Sequence, residues 1–147
     1  MIEVYMKGKK KDKIIGFVDG KKYLSKKKKL LGYLDRNAAK DKNGYPLLYI
    51  KDDGKITLND DWDFEEQGYL KENNIFYSGS DELILSFYKD KGEIQNHINN
   101  EKIYLRGEGI ETLTDMDFFG ISTIFLELFA GPREFEEDVG DLLDDLL

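Results

Sequence analysis

Cysteine is missing altogether, histidine occurs once, at His97, and proline only twice in 147 residues. The lack of cysteine excludes a disulfide framework, a thiolate metal site and a thiol nucleophile. A single histidine excludes a histidine-rich metal centre and any mechanism built on paired imidazoles. Long apolar stretches are also scarce: residues 117–131, DFFGISTIFLELFAG, form the only extended one, and it is too short to span a bilayer. The N-terminus, MIEVYMKGKKKDK, has no apolar core ahead of its lysines, which argues against a signal peptide. These absences point to a soluble, cytoplasmic protein of one-domain size.

Charge is plentiful and unevenly distributed. Residues 1–42 carry 14 Lys/Arg against 5 Asp/Glu, whereas residues 43–147 carry 8 against 25, giving -8 overall. A fold does not require such a split, so it suggests a charged recognition surface. The alternative is that basic turns and acidic loops interleave in space and cancel.

The body of the chain reads as β-hairpins. Turn signals recur at Asp19-Gly20, Asn43-Gly44, Asp53-Gly54, Asn73-Asn74, Lys91-Gly92, Asn99-Asn100 and 107–109, all rich in residues that tolerate left-handed backbone. Between them stand short β-branched or aromatic runs such as Ile56-Thr57-Leu58 and Ile75-Phe76-Tyr77. A degenerate unit, often apolar-small-aromatic, recurs at Ile15-Gly16-Phe17, Leu31-Gly32-Tyr33, Leu48-Tyr49-Ile50, Gln67-Gly68-Tyr69, Leu85-Ser86-Phe87, Ile103-Tyr104-Leu105 and Phe119-Gly120-Ile121. The central positions are 16 to 19 residues apart. Hairpins cannot bury an apolar face singly, so several must close around a shared axis, which also removes exposed strand edges. Gly16, Gly32, Gly68, Ser86 and Gly120 would then mark crowded points near that axis.

The expected fold is mainly β: repeated hairpins closed into a barrel-like or flower-like assembly, with a hydrophobic helix and an acidic amphipathic C-terminal helix. Residues 1–131 form the hairpin-repeat domain and 132–147 the tail. The apolar stretch is read as a helix plugging the assembly, capped by Asp115 or Asp117, with a buried strand as the alternative and Phe118–Ile121 as a last β unit running into it. Gly131-Pro132 ends it. In the tail, Phe135, Val139, Leu142, Leu143 and Leu146 form one stripe, and the opposite face is acidic. Such a face does not seek anionic membranes. Gly140 and the terminal acids leave the helix marginal alone, so it needs a partner surface: its own domain, a second copy or another protein.

The repeated I-G-F-V-D-G-K-x-Y and L-G-Y-L-D-x-N units, followed by an apolar C-terminal segment, resemble the four-fold β-flower proteins, small bacterial proteins in which hairpin petals surround a central axis. That architecture is similar to the tubby-like C-terminal domains, closed barrels threaded by a hydrophobic helix, some of which bind phosphoinositide lipids. The resemblance spans residues 14–121 and implies no catalytic residues.

Chemistry is hard to find. Seven acids fall within residues 52–66, but none of that stretch matches a calcium-ligand ladder, and Asp41-Lys42-Asn43-Gly44 keeps only the ladder's last part. The two glycines around Glu108 lack the third glycine and following helix of a phosphate loop. His97 is read as a strand residue, and Ser25, Ser78, Ser80, Ser86 and Ser122 have no nucleophile-elbow setting. No cofactor, metal or catalytic residue is assigned.

The expectation is a non-catalytic protein-binding module, an inhibitor or immunity-type protein acting on a basic, for example nucleic-acid-handling, partner. Its candidate partner-binding residues are Asp60, Asp61, Trp62, Asp63, Glu65 and Glu66 in one segment and Phe135, Glu136, Glu137, Asp138, Leu142 and Asp145 in the tail. The alternative is lipid or small-ligand binding by a tubby-like assembly, with lysines 7–29 meeting phosphates. Carboxylate-based carbohydrate chemistry ranks third. Net charge disfavours direct nucleic-acid binding. Membrane binding is not favoured, and a homodimer through the C-terminal helix stays open.

Overall fold

The computed structural model describes residues 1–58 and 66–130. Twelve strands follow one another: β1 (Ile2–Lys7), β2 (Asp12–Asp19), β3 (Lys22–Ser25), β4 (Leu30–Asp35), β5 (Ala38–Asp41), β6 (Pro46–Ile50), β7 (Lys55–Thr57), β8 (Glu66–Lys71), β9 (Asn74–Tyr77), β10 (Leu83–Tyr88), β11 (Glu93–Asn96) and β12 (Lys102–Arg106). Each pairs antiparallel with its neighbours in sequence, and β1 pairs with β12, so the sheet closes into a barrel. Closure leaves neither outer strand with an unpaired edge. The seam is locked from outside. Tyr5 stacks on Tyr104 at 5.5 Å, the Arg106 guanidinium lies 4.6 Å from the Tyr5 ring centre, and Arg106 pairs with Glu3 at 2.7 Å.

After a 3-10 turn at Ile110–Thr112, the helix α1 (Asp115–Phe125) runs through the lumen. It is apolar nearly all round, and every residue from Asp117 to Phe125 is buried, as a helix inside a barrel must be. Its side chains reach opposite walls: Phe118 packs on Phe87 of β10 at 5.4 Å, and Phe125 meets Tyr23 of β3 edge-on at 6.2 Å. The cap differs from expectation. Thr114 is the N-cap, and Asp117 sits at N3 of a capping box, because its carboxylate can reach back to the Thr114 N–H while Thr114 Oγ accepts from Asp117 N. Phe119-Gly120-Ile121 belongs to this helix and not to a strand. The helix also ends before Gly131-Pro132, at Phe125, where the chain turns through left-handed Glu127 and Phe129 into a 3-10 turn at Leu128–Ala130.

The six remaining spaced triplets fall one each on β2, β4, β6, β8, β10 and β12, every second strand. Two of their glycines, Gly16 and Gly32, face α1, and a third, Gly68, faces the 3-10 turn that follows it. A Cβ on Gly16 would stand 2.7 Å from the Phe125 ring, and one on Gly32 would stand 2.6 Å from Ile124 Cδ1. One on Gly68 would collide with the Phe129 ring. Ser86 departs from this pattern. Leu85 is in the core and Phe87 packs on α1, so alternation turns Ser86 to the outside. Turns are offset by a residue in places: the β2–β3 loop is Gly20-Lys21, and the β8–β9 loop is Glu72-Asn73, the latter left-handed at both positions as a type I′ hairpin requires. Residues 132–147, and with them the expected tail helix, lie outside the described residues, as do residues 59–65.

Candidate functional site

Alternate connections of an antiparallel barrel joined in sequence lie at opposite ends. Residues 20–21, 36–37, 51–54, 72–73, 89–92 and 107–114 occupy the rim where the chain turns into α1. The connections 8–11, 26–29, 42–45, 78–82 and 97–101 occupy the rim where it leaves, and β7 ends and β8 begins there. The direction of α1 is fixed by its contacts: Asp117 pairs with Lys21 at the first rim, and Phe129 lies 5.4 Å from the Tyr77 ring at the second.

The partner-binding residues expected from sequence attach to that second, exit rim. Asp60, Asp61, Trp62, Asp63 and Glu65 lie outside the described residues, but the strands flanking them end there, with Thr57 paired to Glu66. Glu66 is a half-buried β8 residue and not part of a loop. Phe135, Glu136, Glu137, Asp138, Leu142 and Asp145 also lie outside the described residues, and the chain that leads to them leaves the same rim through Leu128–Ala130.

Charge on the two rims is organised differently. Around the first, basic and acidic residues interleave from one connection to the next: Lys21, Arg36, Lys51, Asp52, Asp53, Glu72, Lys89, Asp90, Lys91, Glu108 and Glu111. On the exit rim they segregate. Connections 8–11, 26–29 and 42–45 hold Lys9, Lys10, Lys11, Lys26, Lys27, Lys28, Lys29 and Lys42, all exposed, and no acid. Connections 78–82 and 97–101 hold Asp81, Glu82 and Glu101 and no lysine.

Two acids elsewhere, Asp41 and Asp53, are committed to the backbone. Asp41 accepts from Asn43 N at 2.9 Å and Tyr45 N at 3.0 Å, shaping the β5–β6 loop instead of offering a cation ligand. Asp53 does the same for Lys55 N at 3.1 Å, and that hydrogen bond holds its carboxyl below the ordinary range. Among the described residues no three His, Asp or Glu side chains gather as a metal site would require.

One constellation escaped the sequence reading. Ser86 Oγ lies 2.8 Å from His97 Nε2 and 2.6 Å from Asn74 Oδ1, on the outer wall where β9, β10 and the end of β11 meet. The spacing resembles a nucleophile and its base, but the serine proton points to Asn74 instead. Asn74 Nδ2 donates to Glu72 O at 3.1 Å, which aims Oδ1 at Ser86. Ser86 therefore donates to Asn74 Oδ1, and its oxygen is in hydrogen-bond contact with His97 Nε2. The trio is a polar clasp joining β9 and β10 to the turn after β11, because His97 lies in that turn and not in a strand as expected. No local signal marks it in the sequence, since it depends on the β10–β11 register.

A second buried group lies at the first rim. Asp117 accepts from Lys21 Nζ at 2.8 Å and from Thr114 N and Oγ1 at 2.9 and 3.0 Å. Burial pushes its carboxyl up, but the hydrogen bonds from Lys21 and Thr114 together outweigh burial and hold it below the ordinary range. Nearby, the Tyr23 hydroxyl is fully buried against Gly120 with no hydrogen-bond partner among the described residues. Burial, reinforced by the Asp117 charge, pushes its pKa far up, so it stays neutral. These groups organise the helix terminus, and around Gly120 the side chains of Tyr23 and Leu34 fill the space beside α1.

No protein-family model, no curated protein and no solved structure matches the chain.

Proposed function

We propose that the chain is a non-catalytic protein-binding module of inhibitor or immunity type, which engages a basic partner such as a nucleic-acid-handling protein through its acidic segments. One observation carries this reading: Thr57 and Glu66, which flank the first acidic segment, and Ala130, which leads to the second, stand on one rim of one closed barrel. Two acidic segments held at the same end of a plugged barrel can meet one partner together, and that gains affinity from effective concentration. The lumen filled by α1 favours binding over catalysis.

Within this reading the chain is a degenerate hairpin-repeat barrel of β-flower type, and 132–147 forms an acidic amphipathic helix in the bound state. The alternative, a tubby-like lipid or small-ligand binder, has to place its ligand outside, since α1 takes up the lumen. Among the described residues no helix is long and apolar enough to cross a membrane.

The test is affinity capture with the full chain and with its E136K/E137K/D138K/D145K variant, at low and high salt, followed by measured binding of the captured protein after purification. A basic partner that binds the parent, weakens as salt rises and is lost on charge reversal is the expected result. Equal binding by the two chains would remove the tail from the interface.

A further inference from the structure

The lysine-rich half of the exit rim has no role in a module that works through acids. Eight exposed lysines on three adjacent connections repel one another, and those connections contain no acid of their own. Such an arc is an anion-docking surface, and its occupant is to be sought among anions held close to it.

The chain supplies one. Residues 131–147 begin at Ala130 on this rim and carry Glu134, Glu136, Glu137, Asp138, Asp141, Asp144 and Asp145 against a single Arg133. The departure point lies on the acidic side: Phe129 meets Gly68 of β8 and Tyr77 of β9, beside the connection that bears Asp81 and Glu82. Those acids repel the segment, while the lysines across the rim attract it. The span is within reach. Twelve strands at ~4.8 Å spacing, tilted as in other barrels, give a diameter on the order of 25 Å. Seventeen residues cover about 25 Å even if wholly helical, and about twice that if extended.

We propose that the lysine arc of connections 8–11, 26–29 and 42–45 is the docking surface for the chain's own acidic segment 132–147. Docking places the acids on an internal basic surface, so an external basic partner binds by displacing the arc. This regulatory consequence rests on the partner-binding reading above, whereas the docking itself does not.

The chain is free of cysteine, so a nitroxide can be attached to the full-length L147C variant at one position only. In nitrogen-15 spectra at low salt, the amides of residues 9–11 and 26–29 should lose most of their intensity relative to the reduced label. Those of connections 36–37 and 51–54 on the opposite rim should keep theirs. Raising salt to about 0.5 M, where the Debye length falls to a few Å, should restore the lost signals. So should the surface variant K9E/K10E/K27E/K28E, whose unchanged remaining spectrum would verify its fold. Broadening that is absent, centred on the opposite rim or retained in that variant would overturn the proposal. Nitroxide on an isotope-unlabelled copy broadening these amides in an unmodified labelled copy would identify a second molecule as the occupant, and would overturn it too. If the E136K/E137K/D138K/D145K variant abolishes the broadening yet binds the captured basic protein as the parent does, the function proposed above fails while docking stands.

Discussion

The fit between α1 and its barrel makes Gly32 the sharpest point at which to test the fold. A Cβ at this position would stand 2.6 Å from Ile124 Cδ1 and 3.3 Å from its Cγ1, and it would also strike the backbone carbonyl of Lys40 on β5. A flexible side-chain tip can move away, but a carbonyl held in the sheet ladder cannot move without disturbing β5. Overpacking of this type costs about 1–3 kcal/mol, and G32A belongs near the top because two groups are struck, one of them backbone. At 2–4 °C per kcal/mol for a domain of this size, the expected loss in Tm is about 6–12 °C. The cause can be separated by a double-mutant cycle with I124V, measured by denaturant unfolding. Alone, I124V loses a buried methyl and costs about 0.5–1.5 kcal/mol. Combined with G32A it removes the Cδ1 clash, so the pair should show favourable coupling of about 1 kcal/mol while keeping a residual cost from the Lys40 carbonyl. G79A is the control: among the described residues, chain neighbours aside, no atom lies within 4 Å of the added methyl, and the change should stay within about 0.5 kcal/mol. A G32A chain as stable as G79A, or zero coupling to Ile124, would refute the placement of α1 against β4.

Other expectations can be checked alongside. D117A removes a capping box and a buried acceptor of three hydrogen bonds, and should cost about 2 kcal/mol at neutral pH, with the exposed Lys21 contact contributing little of it. Because the Asp117 carboxyl is held below its unfolded value, the wild-type advantage over D117A should be complete above about pH 5 and should shrink as pH falls through the folded pKa; an advantage that grew in acid would contradict the assigned contacts. Y23F removes a buried hydroxyl with no partner among the described residues and should be neutral or stabilising by up to about 1 kcal/mol, whereas a clear loss would reveal a water bridging that hydroxyl. S86A leaves Asn74 Oδ1 and His97 Nε2 without their shared partner and should destabilise by about 1–2 kcal/mol by chemical denaturation; an unchanged midpoint would mean that the clasp is not formed.

Much of the architecture was readable because local chemistry and global topology agree. Each of β2, β4, β8 and β12 carries apolar or aromatic residues in alternation and is flanked by turn residues, and a largely apolar segment in a hairpin protein has nowhere to go except inside. The failures share a different cause. β5 is built on Ala38 and Ala39, both buried, and alanine is a poor strand former that only tertiary pairing with β4 and β6 keeps extended. β1 was hidden by the lysines that follow it, although Ile2 and Val4 alternate inward. Phe119-Gly120-Ile121 mimicked the strand triplet because a glycine serves both settings: in β2, β4 and β8 it admits the aromatic and aliphatic side chains of the central segment, and in α1 it admits Tyr23. The Ser86–His97 contact needed a strand register, which spacing alone does not supply. The candidate partner residues were legible only as acids in a row; that both groups spring from one rim required knowing that the chain runs up and down.

That topology also explains why a charge gradient along the chain becomes a polarity in space. In a barrel where every neighbour in sequence is a neighbour around the wall, consecutive exit-rim connections stand side by side, so lysines clustered in the first third cannot disperse. Their mutual repulsion makes the sign of a mild substitution informative. Charges about 10 Å apart at a wet surface interact by roughly 0.4 kcal/mol, less once salt screens them. If the arc is bare, K10Q/K28Q relieves repulsion and raises the thermal midpoint slightly at low ionic strength. If residues 132–147 cover it, the same change removes attraction and lowers the midpoint. In the full chain the midpoint should therefore fall, and in the chain already carrying E136Q/E137Q/D138N/D145N it should hold or rise. The same sign in both chains would mean that the two charged regions do not meet.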